Sequence, residues 1–339
     1  MSISMLFLSK KNRLTVKISS LLIIFLVYNS VVTFAGDKKM LRVGVIQIVS
    51  HEALDADQRG FEKALASAGF KEGVHVTYDR QNAQGDMNKA NAIAQGFIDA
   101  KVDLIHSIAT PTTQAVVNIT KHIPVVFSSI TDPVSAGIVP EDSAAGKKTG
   151  TNVTGVSDQW PVSLQMETYV KFVPNAKKWG TIYNPAETNS VIHIKAIREA
   201  ARRLGLELLE VTIASRKEVE QAASDLSGKV EAITITSDNT TVAEFDTIVK
   251  ICNEKKIPLF AGDVDSVARG AITAYGLDYF LVGYSAGKKA ALVLKGVNPG
   301  DIPWGPVEKF SLVINVNAAK VQGVTIPQEL LKIADKVIK

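Results

Sequence analysis

Cysteine is nearly missing from this chain of 339 residues, where Cys252 stands alone. One thiol makes no intramolecular disulfide and no cysteine-built zinc site, so disulfide-stapled secreted scaffolds are excluded. Histidine is scarce too: His51, His75, His106, His122 and His193 are the full set, no two at i, i+4, and no H-E-x-x-H occurs. Metal binding therefore has no support, and no cofactor is expected. Aromatic residues make up only 6%, so composition marks no aromatic pocket. A surplus of one charge is also lacking. Lys plus Arg is 38 against 34 for Asp plus Glu, but Lys10, Lys11, Arg13 and Lys17 lie in an acid-free stretch of the first 35 residues. Without that stretch the signs balance, leaving no global field to draw in nucleic acid or an anionic membrane.

What is present begins with a leader. After the four basic residues comes the apolar run Leu21–Val27, too short to span a bilayer with margin, and then Thr33-Phe34-Ala35 with small residues where a signal peptidase reads. We expect a cleavable signal peptide over residues 1–35. No cysteine lies at the junction, so the leader is not that of a lipoprotein. The product is expected to be free in a bacterial periplasm. No later stretch is apolar and long enough to be transmembrane.

The remaining length is more than one core usually serves, which suggests two domains. Strand-like and helix-like segments alternate. Leu41–Ile48 is followed by a helical pattern over Ala53–Ala68 that Gly69 closes. A strand over Val74–Tyr78 precedes a helix whose face is Ala90, Ile93, Ala94, Phe97 and Ile98. Val102–Ser107 and Pro124–Phe127 read as strands around a helix at Thr112–Lys121. The order then recurs. Val43-Gly44-Val45-Ile46 returns as Trp179-Gly180-Thr181-Ile182, and Gly69 as Gly205. Ala109–Thr113 lines up with Ser237–Thr241, and Ile123-Pro124 with Ile257-Pro258. Several pairs in one order argue for duplication. The fold class expected is α/β: two similar doubly wound parallel-sheet lobes joined by a hinge that the chain crosses several times. The lobes are assigned as residues 36–155 plus 277–308, and 156–276 plus 309–339. Crossings near Thr151–Ser157 and Ala271–Leu277 would let the cleft open and close.

Enzymatic readings fall away. Gly283-Tyr284-Ser285-Ala286-Gly287 fits a nucleophile elbow, but that chemistry needs a histidine after the serine, and all five histidines precede it. Small residues that let a helix pack closely explain the motif better. Gly146-Lys147 and Gly287-Lys288 lack the glycine and the Ser or Thr of a phosphate loop. Cys252 reads as a packed small hydrophobe.

Polar loops directly after the strands remain, and open parallel sheets bind ligands there. In the first lobe these are Gln47–Glu52 (with His51), Gln81-Asn82, Ala109–Thr113 and Ser128–Asp132. The second lobe contributes Asn184–Asn189, Ser237–Thr240 and Asp263. Each such residue also suits a helix cap. Together they surround one cleft. Thr110, Thr112, Ser129 and Thr131, beside two helix starts, suit a carboxylate, with Ser128 a further candidate ligand-binding residue. Asp238 is the leading partner for an ammonium, Asp263 the second, with Asn184 and Asn239 assisting.

These residues carry a resemblance. The chain resembles a periplasmic solute-binding protein of an ABC importer, of the type I periplasmic binding fold. More narrowly, it resembles the family that includes tryptophan- and tyrosine-binding lipoproteins of Gram-positive bacteria. The likeness rests on Val43-Gly44-Val45-Ile46-Gln47 with His51-Glu52-Ala53-Leu54-Asp55, on Asn82-Ala83-Gln84-Gly85-Asp86, and on Ser128-Ser129-Ile130-Thr131-Asp132-Pro133. Gly155-Val156-Ser157-Asp158 and Ser237-Asp238-Asn239-Thr240 complete it. It implies an α-amino acid, often aromatic, caught between the lobes by a monomer that serves a membrane permease. A sugar or nucleoside ligand, or a periplasmic sensor role, stays open on sequence. If the leader reading is right, intact-mass measurement on periplasmic material returns residues 36–339; a full-length mass in the membrane fraction overturns it.

Overall fold

Apolar runs of strand length, each closed by a polar turn and an amphipathic helix, generate two α/β halves in the computed structural model, which describes residues 39–339. The leader lies outside the described residues. The first half runs β1 (Leu41–Gln47), α1 (Glu52–Ser67), β2 (Val76–Asn82), α2 (Met87–Asp99), β3 (Leu104–Ile108), α3 (Thr110–Ile119), β4 (Val125–Ile130) and β5 (Val153–Ser157). The second half runs α4 (Val162–Tyr169), β6 (Lys178–Tyr183), α5 (Thr188–Leu204), β7 (Glu207–Thr212), α6 (Val219–Leu226) and β8 (Ala232–Ile235). It continues through α7 (Asn239–Ala243), α8 (Phe245–Lys255), β9 (Leu259–Ala261), α9 (Asp265–Arg269) and β10 (Thr273–Gly276). The chain then returns to the first half for α10 (Tyr279–Leu294) and β11 (Gly305–Pro306). It ends in the second half with β12 (Ser311–Asn315), α11 (Val316–Val321), α12 (Gln328–Ile333) and β13 (Lys336–Ile338).

The two sheets have matching orders, β11-β5-β4-β3-β1-β2 and β13-β12-β10-β9-β8-β6-β7. Equivalent strands are therefore β1 and β6, β2 and β7, β3 and β8, β4 and β9, as the sequence repeat requires. In both, the order reverses beside the first strand, and crevices at such switch points hold ligands. Every residue of β3, β4 and β5 is buried, which a sheet covered on both faces demands. One departure from the expected parallel pattern occurs. β12 runs antiparallel to β10, because the chain re-enters the second sheet from the opposite end after its excursion through α10. The second strand also starts later than Val74: residues 71–75 form a turn closed by His75 N to Lys71 O at 2.8 Å.

The closest packing in the first half is between α1 and α10. A Cβ on Gly60 would overlap the carbonyl oxygen of Phe280; one on Gly283 would overlap that of Asp57, and one on Gly287 that of Phe61. The elbow-like motif around Ser285 is therefore a helix-packing surface. Gly283→Ala forces the helices apart, and overpacking of this kind costs about 1–3 kcal/mol. Denaturant unfolding of Gly283→Ala is expected to show that loss; wild-type stability would mean that the contact relaxes freely.

Candidate functional site

The carboxyl ends of both sheets face one small cavity of about 20 Å³, room for little more than a water molecule until the halves part. His51, Ala53 and Leu54 enter from the β1–α1 turn and the start of α1. Ala109 enters from β3, Ser129 and Thr131 from β4, and Asp158 from just after β5. The second half supplies Asn189, Ser237, Asn239, Val242 and Asp263, and Tyr279 opens α10. Ala53, Leu54, Val242 and Tyr279 give the cavity an apolar side.

In the first half, backbone geometry shapes the wall. Ala109, before α3, has φ 78° and ψ 156°, a conformation that glycine usually occupies, and no side chain caps the helix behind it. Ser129 has φ 58°. Its hydroxyl donates to Asp57 Oδ2, while Ser128 Oγ donates to Asp57 Oδ1 at 2.8 Å. Asp57 is fully buried on α1, and burial pushes its carboxyl up to about 7. His106 Nε2 lies 2.8 Å from Ser128 Oγ, and its ring stacks on Phe61 at 3.6 Å. Burial lowers His106 to about 3. The imidazole is therefore neutral, and since the Ser128 proton goes to Asp57, Nε2–H is the donor. This trio is sealed beneath the cavity and supports the turn above it.

Asp158 follows β5 and accepts from Tyr279 Oη at 2.6 Å through Oδ2 and from the Thr131 side chain. Its Oδ1 is buried with no partner, and burial raises the carboxyl to about 6. Asp263 accepts from the Ser266 N–H and hydroxyl, both at 2.8 Å, and is also raised, chiefly by burial. His51 caps α1 through Nδ1. It bonds the Asn239 side chain, and burial lowers it to about 4. Neutral His51 thus uses Nε2–H to reach across from the first half to the second.

The expected site residues divide. His51, Ala109, Ser129, Thr131, Asn189, Asn239 and Asp263 line the cavity. Gln47, Asn82, Thr110, Thr112, Ser128, Asn184 and Asp238 do not. Gln47 Nε2 bonds Asp55 Oδ1 at 2.7 Å, leaving Oε1 buried and unpartnered. Asn82 Oδ1 closes its own turn to Gln84 N. Thr112 returns its hydroxyl to Ile108 O, and Thr110 Oγ1 is buried without a partner. Asn184 closes a turn with Ala186 N. Asp238 corrects the leading expectation most clearly. It is wholly buried, with Oδ1 on Thr241 N at 2.7 Å and Oδ2 on Asn184 N at 2.7 Å and Ser190 Oγ at 2.6 Å. Those bonds make it a cap. The hydroxyls of Ser128, Ser129 and Thr131 are likewise spent on Asp57 and Asp158. Five lining residues escaped the sequence reading as site residues: Asp158, Tyr279 and the apolar Ala53, Leu54 and Val242. Asp158 ends the Gly155–Asp158 stretch directly after a strand, a signal that was present.

Comparison with known proteins agrees with this geometry. A family model described as ABC transporter substrate binding protein matches residues 42–338. A tyrosine-binding protein of Clostridioides difficile strain R20291 is 39% identical over 283 residues, 84% of this chain and 81% of that one. A crystal structure of a conserved domain protein from Vibrio cholerae is 36% identical, with a TM-score of 0.85 over 88% of this chain and 100% of the other. An ABC domain from Streptococcus pneumonia, in complex with L-Trp, is 34% identical with a TM-score of 0.83 over the same shares.

If Asp238 is a cap, Asp238→Asn damages stability before recognition. Its amide turns one N–H toward donors, and a lost helix cap costs about 0.5–2 kcal/mol. Unfolding curves are expected to shift by that amount, while the folded variant still binds. A variant of wild-type stability that binds nothing would return Asp238 to the ligand.

Proposed function

This chain belongs to the ABC transporter substrate-binding protein family, and from that premise we propose that it captures an α-amino acid with an aromatic side chain. The family's members bind small ligands and work with ABC permeases; they are not enzymes. Its two halves have the type I periplasmic binding fold. In our reading the ligand sits in the interlobe cavity, the halves close on it about the crossings at 158–161, 277–278 and 307–310, and the mature chain delivers it to a permease from the periplasm.

Asp158 carries this reading. A carboxylate buried in the cavity wall with one oxygen unpaired is costly until a donor reaches it. An ammonium meets that need, with Asp263 as its second neighbour. The ligand's carboxylate then falls to the uncapped start of α3 and the N–H groups of the Ser129 turn, where helix dipole and free donors favour an anion. The apolar side formed by Leu54, Val242 and Tyr279 suits an uncharged side chain. The tyrosine-binding relative and the L-Trp complex support an aromatic one.

Linkage gives the pH dependence. An ammonium pairs only with ionised Asp158, whose carboxyl stands at about 6 before ligand arrives. Affinity is therefore full above that value and falls about tenfold per unit below it, with proton release on binding. Titration calorimetry of the mature protein with L-tryptophan and L-tyrosine from pH 8 to about 5 tests this. Asp158→Asn is expected to lose about tenfold to a hundredfold in affinity and most of the pH dependence. Affinity that stays flat with pH would remove Asp158 from the ammonium. No thermal shift with any amino acid would sink the reading.

A further inference from the structure

Two of the five second-half residues that line the cavity, Asn189 and Asn239, are amides, and an amide has a donor end and an acceptor end. We propose that Glu187 is a positioning residue that decides which end the ligand meets. It holds the nitrogens of Asn189 and Asn239 on itself and so turns their oxygens outward, that of Asn189 for an ammonium and that of Asn239 for His51. The inference rests on the amino-acid reading above.

Glu187 is buried just before α5. Its Oε2 accepts from Asn239 Nδ2 at 2.6 Å, from Asn239 N at 3.0 Å and from Asn189 Nδ2 at 3.2 Å. Its Oε1 accepts from Thr240 N at 3.0 Å and Thr240 Oγ1 at 2.7 Å. Five donors thus converge on one side chain. An ionised carboxylate only accepts, so neither amide has a choice of orientation. Asn189 is held twice, because its Nδ2 also donates to Ser237 O at 2.8 Å.

The consequence lies on the other side of each amide. Asn189 Oδ1 is buried and unpartnered in a residue that lines the cavity. Asn239 Oδ1 is left to receive His51 Nε2–H. Beside them stand the carboxylates of Asp158 and Asp263. The wall that meets the ligand's amino end therefore offers acceptors. With the amides reversed, two N–H₂ groups would face the same space and repel an ammonium. Nothing in Asn189 or Asn239 themselves sets that choice; Glu187 sets it for Asn239, and Glu187 with the Ser237 carbonyl sets it for Asn189.

The test compares L-tryptophan and L-tyrosine with their desamino analogues, indolepropionate and hydroxyphenylpropionate, by calorimetry on wild type and Glu187→Gln. Wild type is expected to prefer the amino acid. In Glu187→Gln the new amide turns its own N–H₂ toward some of the five donors, freeing Asn239 to rotate and leaving Asn189 held by the Ser237 carbonyl alone. The preference for the amino acid is then expected to drop about tenfold or more, mainly through weaker amino acid binding. A role confined to capping α7 would lower stability and leave that ratio alone. Where Glu187→Gln does not fold, Asn189→Leu carries the same test. It deletes one oriented acceptor, leaves the other four donors on Glu187, and is expected to lower the ratio in the same direction. A folded Glu187→Gln or Asn189→Leu that keeps the full wild-type ratio overturns the inference while the amino-acid reading stands. A wild type that shows no preference for the amino form overturns both.

Discussion

Two helices of the first half approach until no Cβ fits between them, and the group buried at that contact organises the cleft. Gly60, Gly283 and Gly287 let α1 and α10 meet backbone to backbone, and Asp57 lies on α1 inside that contact. Its carboxylate takes the hydroxyls of Ser128 and Ser129. Ser129 pays for a left-handed φ of 58°, and its bond to a buried charge offsets that cost. The turn so fixed leads to Thr131, which bonds Asp158; Asp158 in turn accepts from Tyr279. Tyr279 is the first residue of α10. The path closes on the helix where it began, so the helix pair and the cavity wall cannot be altered independently.

The sequence carried most of the architecture because the repeat is written in features that packing keeps: apolar strand runs, helix-ending glycines, polar turns after strands. Gly205 ends α5 with φ 67° and Gly69 follows α1 with φ 98°, positions where a side chain is strained. It also placed the loops that meet in the cavity. Side-chain roles were less legible, and the reason is long range. Ser129 looks the same in sequence whether its hydroxyl meets a ligand or a carboxylate 72 positions away. Asp238 shows the opposite case. Its partner Thr241 sits three residues on, an N-cap spacing that favoured the cap. The weight given to its charge obscured that local signal.

The halves diverge chemically where they match in fold. At the start of α7, the N–H groups of Asn239 and Thr240 are already met by Glu187, and that of Thr241 by Asp238. At the equivalent start of α3 stands Ala109, which has no polar side chain, in a glycine-like conformation. One helix start carries its own anions; the other carries none, an asymmetry that the proposed amino acid site would use.

The charge inventory of the cavity then restricts what fits. Among the described residues no lysine or arginine lines it, and its histidine, His51, is neutral. Asp158 and Asp263 are both raised by burial, so each gains from a cation brought beside it. A ligand bearing a single ammonium stabilises an ionised carboxylate at this wall, while Asp263 already has the Ser266 N–H and hydroxyl as donors. A neutral sugar gives Asp158 no charge to set against its desolvation. A doubly cationic ligand would require both carboxylates to ionise at close quarters with no further anion outside them. A buried carboxylate, an uncapped helix start and an apolar side are the three features that the proposed zwitterion with an uncharged side chain would use.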